Sequence, residues 1–167
     1  MKIPESFLHP HFYSNQDNIS IKTYDLKDII AVPFKFDIAY YMGAAPDQLP
    51  WEMTSDSIPD ILTSWREKEI LLNSLHETRD RKEARKQILL PIAWYLQLLF
   101  WMNGQPVRGL TGWKKEVGRL QWKPVNVEER LEFVIKKPEM YHSFIQLQQL
   151  YTESAKLFYK MKALEKK

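Results

Sequence analysis

The feature that most constrains the fold is an apolar run at residues 88–102, ILLPIAWYLQLLFWM, which only Pro91 and Gln97 interrupt. A helix on a protein surface keeps one polar face in water, whereas a helix formed from this run is apolar on all sides. Other helices must therefore cover it. The run is also shorter than the roughly 20 residues that span a bilayer, so we expect no membrane-spanning segment.

Composition supports a helical fold. A chain of 167 residues is long enough to bury one substantial core. Its five glycines are too few for a sheet-rich fold with many tight turns, or for a nucleotide-binding loop built from several glycines. We therefore predict an all-α single-domain helical bundle of five to seven helices around a central apolar helix at about residues 88–103.

The residues before this domain predict an irregular segment. Residues 1–24 contain Pro4, Pro10 and a polar run, and we interpret them as an arm whose aromatic side chains dock on a helical domain of residues 25–167. His9 and His11 form a pair that could bind a metal weakly. Since no third ligand lies nearby in the sequence, exposed imidazoles are the favoured interpretation.

Two capping patterns predict where helices begin. Ser57 followed by Asp60 has the spacing of a capping box, with Pro59 in the first turn of a helix that ends near residue 77. Asn126 followed by Glu129 has the same spacing and predicts a second helix start. In such a box, each of the two side chains accepts a hydrogen bond from a backbone N–H at the helix start that otherwise has no partner.

Prolines and glycines predict further boundaries. Pro91 lies inside the apolar run and predicts either a kink or a new helix that starts there. Asn103 and Gly104 predict the end of the run, and Gly43 predicts the end of a short helix at residues 34–43. A strand at residues 32–40 is the alternative. Pro138 is the predicted first residue of a long final helix.

Charge is distributed unevenly along the chain. Residues 1–60 hold four basic and nine acidic residues, a net charge of −5, so the rest of this +3 chain carries +8. Such asymmetry indicates either an anionic partner for the basic part or an acidic segment packed against a basic one within the molecule. We favour the internal arrangement.

Two segments concentrate the basic residues. Residues 79–86, RDRKEARK, open the helix of the apolar run, and residues 108–123 combine glycines, cations and tryptophans as a phosphate-binding and stacking surface would. In the competing interpretation, Thr111 caps a short helix that turns its apolar side chains inward and leaves the cations in solvent. We favour that interpretation, and the candidate nucleic-acid or anion contacts are Arg108, Trp113, Lys114, Lys115, Arg119 and Lys123.

Missing residues and motifs limit the chemistry. The chain has no cysteine, which excludes disulfides, thiolate metal sites and cysteine nucleophiles. It also lacks phosphate-binding, dinucleotide-binding, zinc-protease and hydrolase motifs. His76 and His142 lie on predicted helices that could pack together, but no nucleophile or metal cluster accompanies them. We therefore expect a protein without catalytic activity, cofactor or metal.

The segment LLPIAWYLQLLFWMNGQPV, together with the arm rich in proline and aromatic residues, resembles the YpoC-like proteins of Gram-positive bacteria, a small family of unassigned function. This resemblance implies a bacterial cytoplasmic protein and transfers no catalytic residues. The N-terminal residues also lack the apolar segment and cleavage site of a secretory signal, which agrees with a cytoplasmic location.

The sequence therefore favours a non-catalytic helical accessory or adaptor protein that binds a protein partner. Such a protein is expected to expose an apolar patch of more than about a few hundred Å². The alternative is a nucleic-acid-binding protein that uses residues 79–86 and 108–123. If the chain has a ligand site, we expect it where the apolar helix ends and the glycine-rich basic segment begins.

Overall fold

Seven α-helices form a single all-α domain in the computed structural model, which describes residues 1–21, 25 and 27–166. The fold class and the number of helices agree with the prediction. No described helix has both the length and the apolar character needed to cross a membrane. The helices are α1 (Lys27–Ala31), α2 (Lys35–Tyr41), α3 (Thr54–Glu77), α4 (Arg81–Met102), α5 (Trp113–Gly118), α6 (Val127–Lys136) and α7 (Tyr141–Glu165).

The apolar run forms the central helix α4, and all of its residues from Pro91 to Met102 are buried. Helices α3 and α7 pack along it, as do the short α1 and the 3₁₀ turn Pro50–Glu52. The helix is continuous through Pro91, so the expected new start at that residue is wrong. The surrounding helices enclose this turn and hold it in place, although proline has no N–H to donate.

Polar atoms on α4 fix the N-terminal part of the chain. The Gln97 side chain accepts a hydrogen bond from the Phe34 N–H at 2.7 Å and donates one to the Ile29 carbonyl at 3.3 Å. The Trp94 indole donates to the carbonyl of Ile30 at 2.8 Å. Phe34 is held in the left-handed region at φ 61°, where a bulky residue is strained. The buried amide therefore fixes both the position and the backbone conformation of this connection.

Other polar atoms fix α7 against the same helix. The Tyr151 hydroxyl donates to the Pro91 carbonyl at 2.6 Å, and the hydroxyls of Tyr95 and Ser154 lie 2.8 Å apart. All of these groups are buried, and a buried polar group without a partner costs about 1–3 kcal/mol. Their pairing sets the register of α7 on α4.

The arm is anchored by close backbone contact. Phe7 is fully buried, and the Ser6 carbonyl accepts a hydrogen bond from the Leu110 N–H at 2.6 Å. Gly109 allows this approach, because its φ is +150° and a Cβ there would lie 3.1 Å from both the Ser6 Cβ and the Ser6 carbonyl oxygen. Residues 22–24, the last of the predicted arm, lie outside the described part of the chain.

The predicted ends of α2 and α4 are confirmed. Gly43 and Gly104 have φ values of +71° and +73° directly after Met42 and Asn103, the C-cap residues of the two helices. A left-handed glycine at this position closes the last helical turn. The strand alternative for residues 32–40 is wrong, since α2 occupies most of that segment.

The predicted helix starts need correction. The α3 helix begins at Thr54, and the Ser57 hydroxyl donates to the Pro50 carbonyl at 2.7 Å instead of capping a helix. The preceding 3₁₀ turn makes the chain helical before Ser57, which places Pro59 inside α3. The capping-box interpretation of Ser57 is therefore wrong.

Three further starts differ in detail. Asn126 does precede α6, but it is left-handed at φ 58° and its side chain makes no capping hydrogen bond. Gly112, and not Thr111, directly precedes α5. The α7 helix begins at Tyr141, three residues after the predicted Pro138. In each case the chain turns at the predicted place, but backbone conformation forms the boundary instead of a side-chain cap.

The predicted internal pairing of acidic and basic parts is not found among the described residues. Within the described parts of the chain, no ion pair joins residues 1–60 to residues 61–166, and Lys35 pairs with Asp28 inside the first of these ranges at 2.7 Å. The two parts instead meet through the apolar core and the hydrogen bonds of α4. Most acidic side chains of the N-terminal third therefore remain on the surface.

Candidate functional site

The basic residues at 108–123 are mostly paired with acids of α5 and α6. Lys114 lies 3.2 Å from Glu132 and lowers the pKa of that carboxyl through a hydrogen bond. The predicted contacts Arg119 and Lys123 lie 3.2 Å from Glu116 and 3.7 Å from Glu128, Trp113 is partly buried, and Arg108 and Lys115 are exposed. The structure thus arranges this segment as the competing interpretation expected, with apolar side chains inward and paired cations outward.

The other basic segment lies at the far end of α4. Asp80 caps this helix by accepting a hydrogen bond from the Glu83 N–H at 3.2 Å, and Arg85 lies 2.9 Å from Glu139. Residues 108–123 follow the opposite end, and 22 residues of α-helix span roughly 30 Å. The beginning and end of α4 therefore present basic side chains that do not converge on one compact site.

The histidines do not meet carboxylates. The His76 ring stacks on Phe144 at 5.5 Å, and burial, together with the nearby charge of Arg81, lowers the pKa of its imidazole. His142 contacts the Phe133 ring edge to face at 5.4 Å. Within the described residues, no three His, Asp or Glu side chains form a group that could hold a metal ion.

The end of α4 carries a polar pocket of about 490 Å³, where the sequence placed its first candidate site. Asn103 donates to the Trp122 carbonyl at 2.9 Å and accepts from the Trp122 N–H at 2.9 Å, which fixes that tryptophan at the pocket edge. The charged side chains around the pocket cancel, because two are basic and two are acidic: Arg119, Lys162, Glu52 and Glu165. This balance gives the pocket no preference for an anion.

A buried carboxyl lies close to the same end of α4. Asp37 is 1% exposed, and its Oδ1 accepts hydrogen bonds from the Trp101 indole at 2.9 Å and the Val107 N–H at 2.6 Å. Its Oδ2 is buried without a partner. Burial raises the pKa of Asp37 to about 7, against the lowering effect of the two hydrogen bonds. This group fixes the exit of the chain from α4.

A more distinctive surface lies between α3 and α7, which run antiparallel. Trp65 stacks on Tyr151 with ring centroids 4.3 Å apart, and one helical turn further along α3 Glu69 accepts a hydrogen bond from Gln148 at 2.9 Å. Beside the ring stack the two helices leave an open groove of about 530 Å³. Volumes of this size are typical of ligand pockets.

The groove has an aromatic floor and a partly charged rim. The small side chain of Ala155 leaves space opposite α3, and the exposed Tyr159 ring stands at the edge. Nine side chains line it: Leu62, Trp65, Arg66 and Glu69 of α3, and Tyr151, Thr152, Ala155, Lys156 and Tyr159 of α7.

Hydrogen-bond donors outnumber acceptors around the groove. Trp65 is only 4% exposed, its indole N–H has no partner among the described residues, and this nitrogen is not one of the fully buried unpaired atoms. It therefore keeps some contact with solvent, and the same residue lines the groove. Arg66 and Lys156 are exposed and form no ion pair with a described residue, whereas the rim acid Glu69 is already bound by Gln148.

Sequence reasoning missed the groove, although two signals mark it. Glu69 is the one charged residue that interrupts the apolar stripe of α3. On α7 the stripe of large apolar residues skips from Tyr151 to Phe158, with Ser154 and Ala155 between them. An interruption in each of two facing stripes indicates a place where the helices do not fill the space between them.

A second exposed apolar feature lies at the end of α2. Tyr40 and Tyr41 are 51% and 60% exposed, and Met42 follows them. Tyr40 contacts Trp51 edge to face at 5.2 Å. The groove between α3 and α7 is the stronger candidate for a docking site, because it is a defined concavity with an aromatic floor.

Comparison with known proteins gives two matches. A family model described as YpoC-like protein matches residues 55–166. A protein of Bacillus subtilis (strain 168), described as "Uncharacterized protein YpoC", is 35% identical over 118 residues, which cover 71% of this chain and 72% of that protein. No solved structure matches the chain. The segment matched by the family model contains every residue that lines the groove, and the arm, α1 and α2 precede it.

Proposed function

The chain belongs to the YpoC-like family, and we propose that it is a non-catalytic helical adaptor that binds a protein partner through the groove between α3 and α7. One observation carries this proposal: a groove between two helices lies open above the stacked rings of Trp65 and Tyr151. Filling it with an apolar side chain of a partner stabilises the complex by about 1.5–3 kcal/mol.

The geometry suits a helix-in-groove mode of recognition. In that mode a partner helix places a few large apolar side chains between two helices of its receptor. The walls present side chains over about two helical turns, so the groove accepts one or two anchor residues and leaves the rest of the partner on the surface. We place this interaction in the bacterial cytoplasm, in keeping with the family and the absence of cysteine.

Nucleic-acid binding is the less favoured function. A nucleic-acid surface needs cations that are free to neutralise phosphates, and Lys114, Arg119 and Lys123 lie within 4 Å of carboxylates. The groove makes no use of these residues, so the two functions can be tested separately.

The experiment is site-specific photocrosslinking in the native bacterial cell. A benzoylphenylalanine residue replaces the exposed Thr152 on the groove wall, and a control chain carries it in place of the exposed Lys86 on α4. The expected result is one dominant protein adduct from position 152 that is absent from position 86. Adding Ala155→Leu, which fills the groove with a larger side chain, is expected to remove the adduct.

Two results would contradict the proposal. Identical adducts from both positions would show that position 152 reports only random encounters. An adduct that persists at full yield in the Ala155→Leu chain would show that the partner does not enter the groove. Alanine and leucine are both strong helix formers, so thermal unfolding of the variant is expected to show an intact fold.

A further inference from the structure

We infer that the occupant of the groove is an acidic amphipathic helix that presents one or two large apolar residues flanked by carboxylates. This inference rests on the proposed function, because it names the chemistry of the partner that the same groove accepts. Three features support it, and each concerns a different part of the groove wall.

The first feature is the charge of the rim. Arg66 stands on the α3 wall and Lys156 on the α7 wall, and neither forms an ion pair with a described residue. Lys156 does act at a distance on Glu153, whose pKa is lowered mainly by its hydrogen bond with Arg130 and less by the charge of Lys156. Glu153 is held by Arg130 at 2.5 Å. The two rim cations therefore remain available to carboxylates of a partner.

The second feature is the state of the rim acid. Glu69 is the acidic residue of the groove wall, and one of its carboxylate oxygens accepts the Gln148 amide at 2.9 Å. A basic partner would meet two like charges and an acid that already has a partner. Like charges brought together at an interface cost several kcal/mol against the wrong partner, so the rim selects against basic segments.

The third feature is the indole N–H of Trp65, which makes no hydrogen bond with a described residue and belongs to a residue of the groove lining. An indole N–H that loses its water on binding needs an acceptor, or the complex loses about 1–3 kcal/mol. Most backbone carbonyls of a partner helix are engaged within that helix, so a side-chain carboxylate next to the apolar anchor is the fitting acceptor. The floor and the rim thus require the same partner chemistry.

The test uses three labelled helical peptides of about 16 residues, long enough to form helix on binding. All three carry the same leucine and tryptophan anchors on one face, and the flanking positions are Glu, Gln or Lys. Fluorescence anisotropy with the full chain measures each affinity. The Glu peptide is expected to bind about tenfold more tightly than the Gln peptide, the gain of two exposed ion pairs, and the Lys peptide more weakly than both.

Charge reversal provides the decisive variant. The double change Arg66→Glu and Lys156→Glu is expected to reverse the order of the Glu and Lys peptides. Lys82→Glu with Lys86→Glu is the matched control, because it changes the net charge equally at exposed positions outside the groove. The control is expected to keep the original order. Raising salt from about 50 to 500 mM is expected to bring the three affinities together.

The outcomes separate the inference from the proposed function. Equal binding of all three peptides, abolished by Ala155→Leu, would keep the docking groove and overturn the acidic partner. Tightest binding of the Lys peptide would overturn it as well. No binding of any peptide would count against the groove as a docking site. Sedimentation of the chain alone tests whether a second copy of the chain occupies the groove. Self-association that Ala155→Leu abolishes would show this and would overturn the inference.

Discussion

Replacing Asp37 by asparagine is expected to change how stability depends on pH. The folded-state pKa of this buried carboxyl is about 7, whereas its ordinary value is 3.8. Between these values the folded chain holds a proton that the unfolded chain has lost. Stability from this group is therefore fully present below about pH 4, falls as the pH rises, and levels off above about pH 7.

The size of the effect follows from the two pKa values. The complete shift corresponds to about 4 kcal/mol, and the part between about pH 5 and pH 8 is about 2–3 kcal/mol. The side-chain amide introduced by Asp37→Asn can keep both hydrogen bonds that the Asp37 Oδ1 accepts, from Trp101 and Val107, and it does not titrate. Its N–H₂ group occupies the place of the unpartnered Oδ2, much as the protonated acid does at low pH.

Urea unfolding followed by tryptophan fluorescence measures the free energy of unfolding of both chains across this pH range. The advantage of Asp37→Asn over the natural chain in free energy of unfolding is expected to grow by about 2–3 kcal/mol from pH 5 to pH 8. Asp60→Asn, at an exposed position of α3, is the control for losing one carboxylate. Other titrating groups cancel in the difference between chains. A difference in free energy of unfolding that stays constant with pH would refute the raised pKa of Asp37.

Three more predictions concern turns, the arm and nucleic acid. Arg79→Gly is expected to increase the free energy of unfolding by about 0.5–1 kcal/mol, and so to raise the urea midpoint, because Arg79 is left-handed at φ 59° after α3. A lower midpoint would contradict this. Gly109→Ala is expected to lower the free energy of unfolding by about 1–3 kcal/mol and to speed proteolysis of the arm, because the added Cβ would lie 3.1 Å from Ser6. Gly112→Ala is the control, because a Cβ at that position would face open space. A duplex is expected to show no binding at about micromolar concentrations even in low salt, and salt-sensitive binding lost on alanine replacement of the cations in 108–123 would instead support a nucleic-acid function.

The central helix could be predicted because one continuous stretch of the sequence determines it. A run that is apolar on all sides needs cover, and this requirement alone implies surrounding helices. The ends of α2 and α4 were equally accessible, since Gly43 and Gly104 adopt positive φ values that other residues avoid. Where the residue type directly favours one backbone conformation, the sequence pattern was sufficient to predict the end of the helix.

The capping-box predictions were wrong because the side-chain interaction and the backbone conformation at these positions do not depend on the four-residue pattern alone. Ser57 had a competing acceptor, the Pro50 carbonyl, which a 3₁₀ turn brings within 2.7 Å. The spacing of Asn126 and Glu129 fits a box, but the left-handed backbone of Asn126 precludes the usual cap geometry. A capping pattern therefore located a turn in each case without giving the interaction that forms it.

The candidate site depended on contacts between distant parts of the chain. The acids that pair with the basic segment belong largely to α6, and only the folded chain shows that Glu128 and Glu132 face it. The groove likewise needs α3 and α7, which are separated in sequence by the whole of α4, α5 and α6. The interruption at Glu69 was visible, but its meaning depended on the small Ala155 opposite.

The separation of charge described above also gives the molecule an electrical polarity. The acidic N-terminal third makes no ion pair with the described remainder of the chain, so a negative region and a positive region coexist on one small domain. The long-range field of such a domain orients any charged molecule that approaches it before contact, so the rate of association is set partly by charges far from the point of contact.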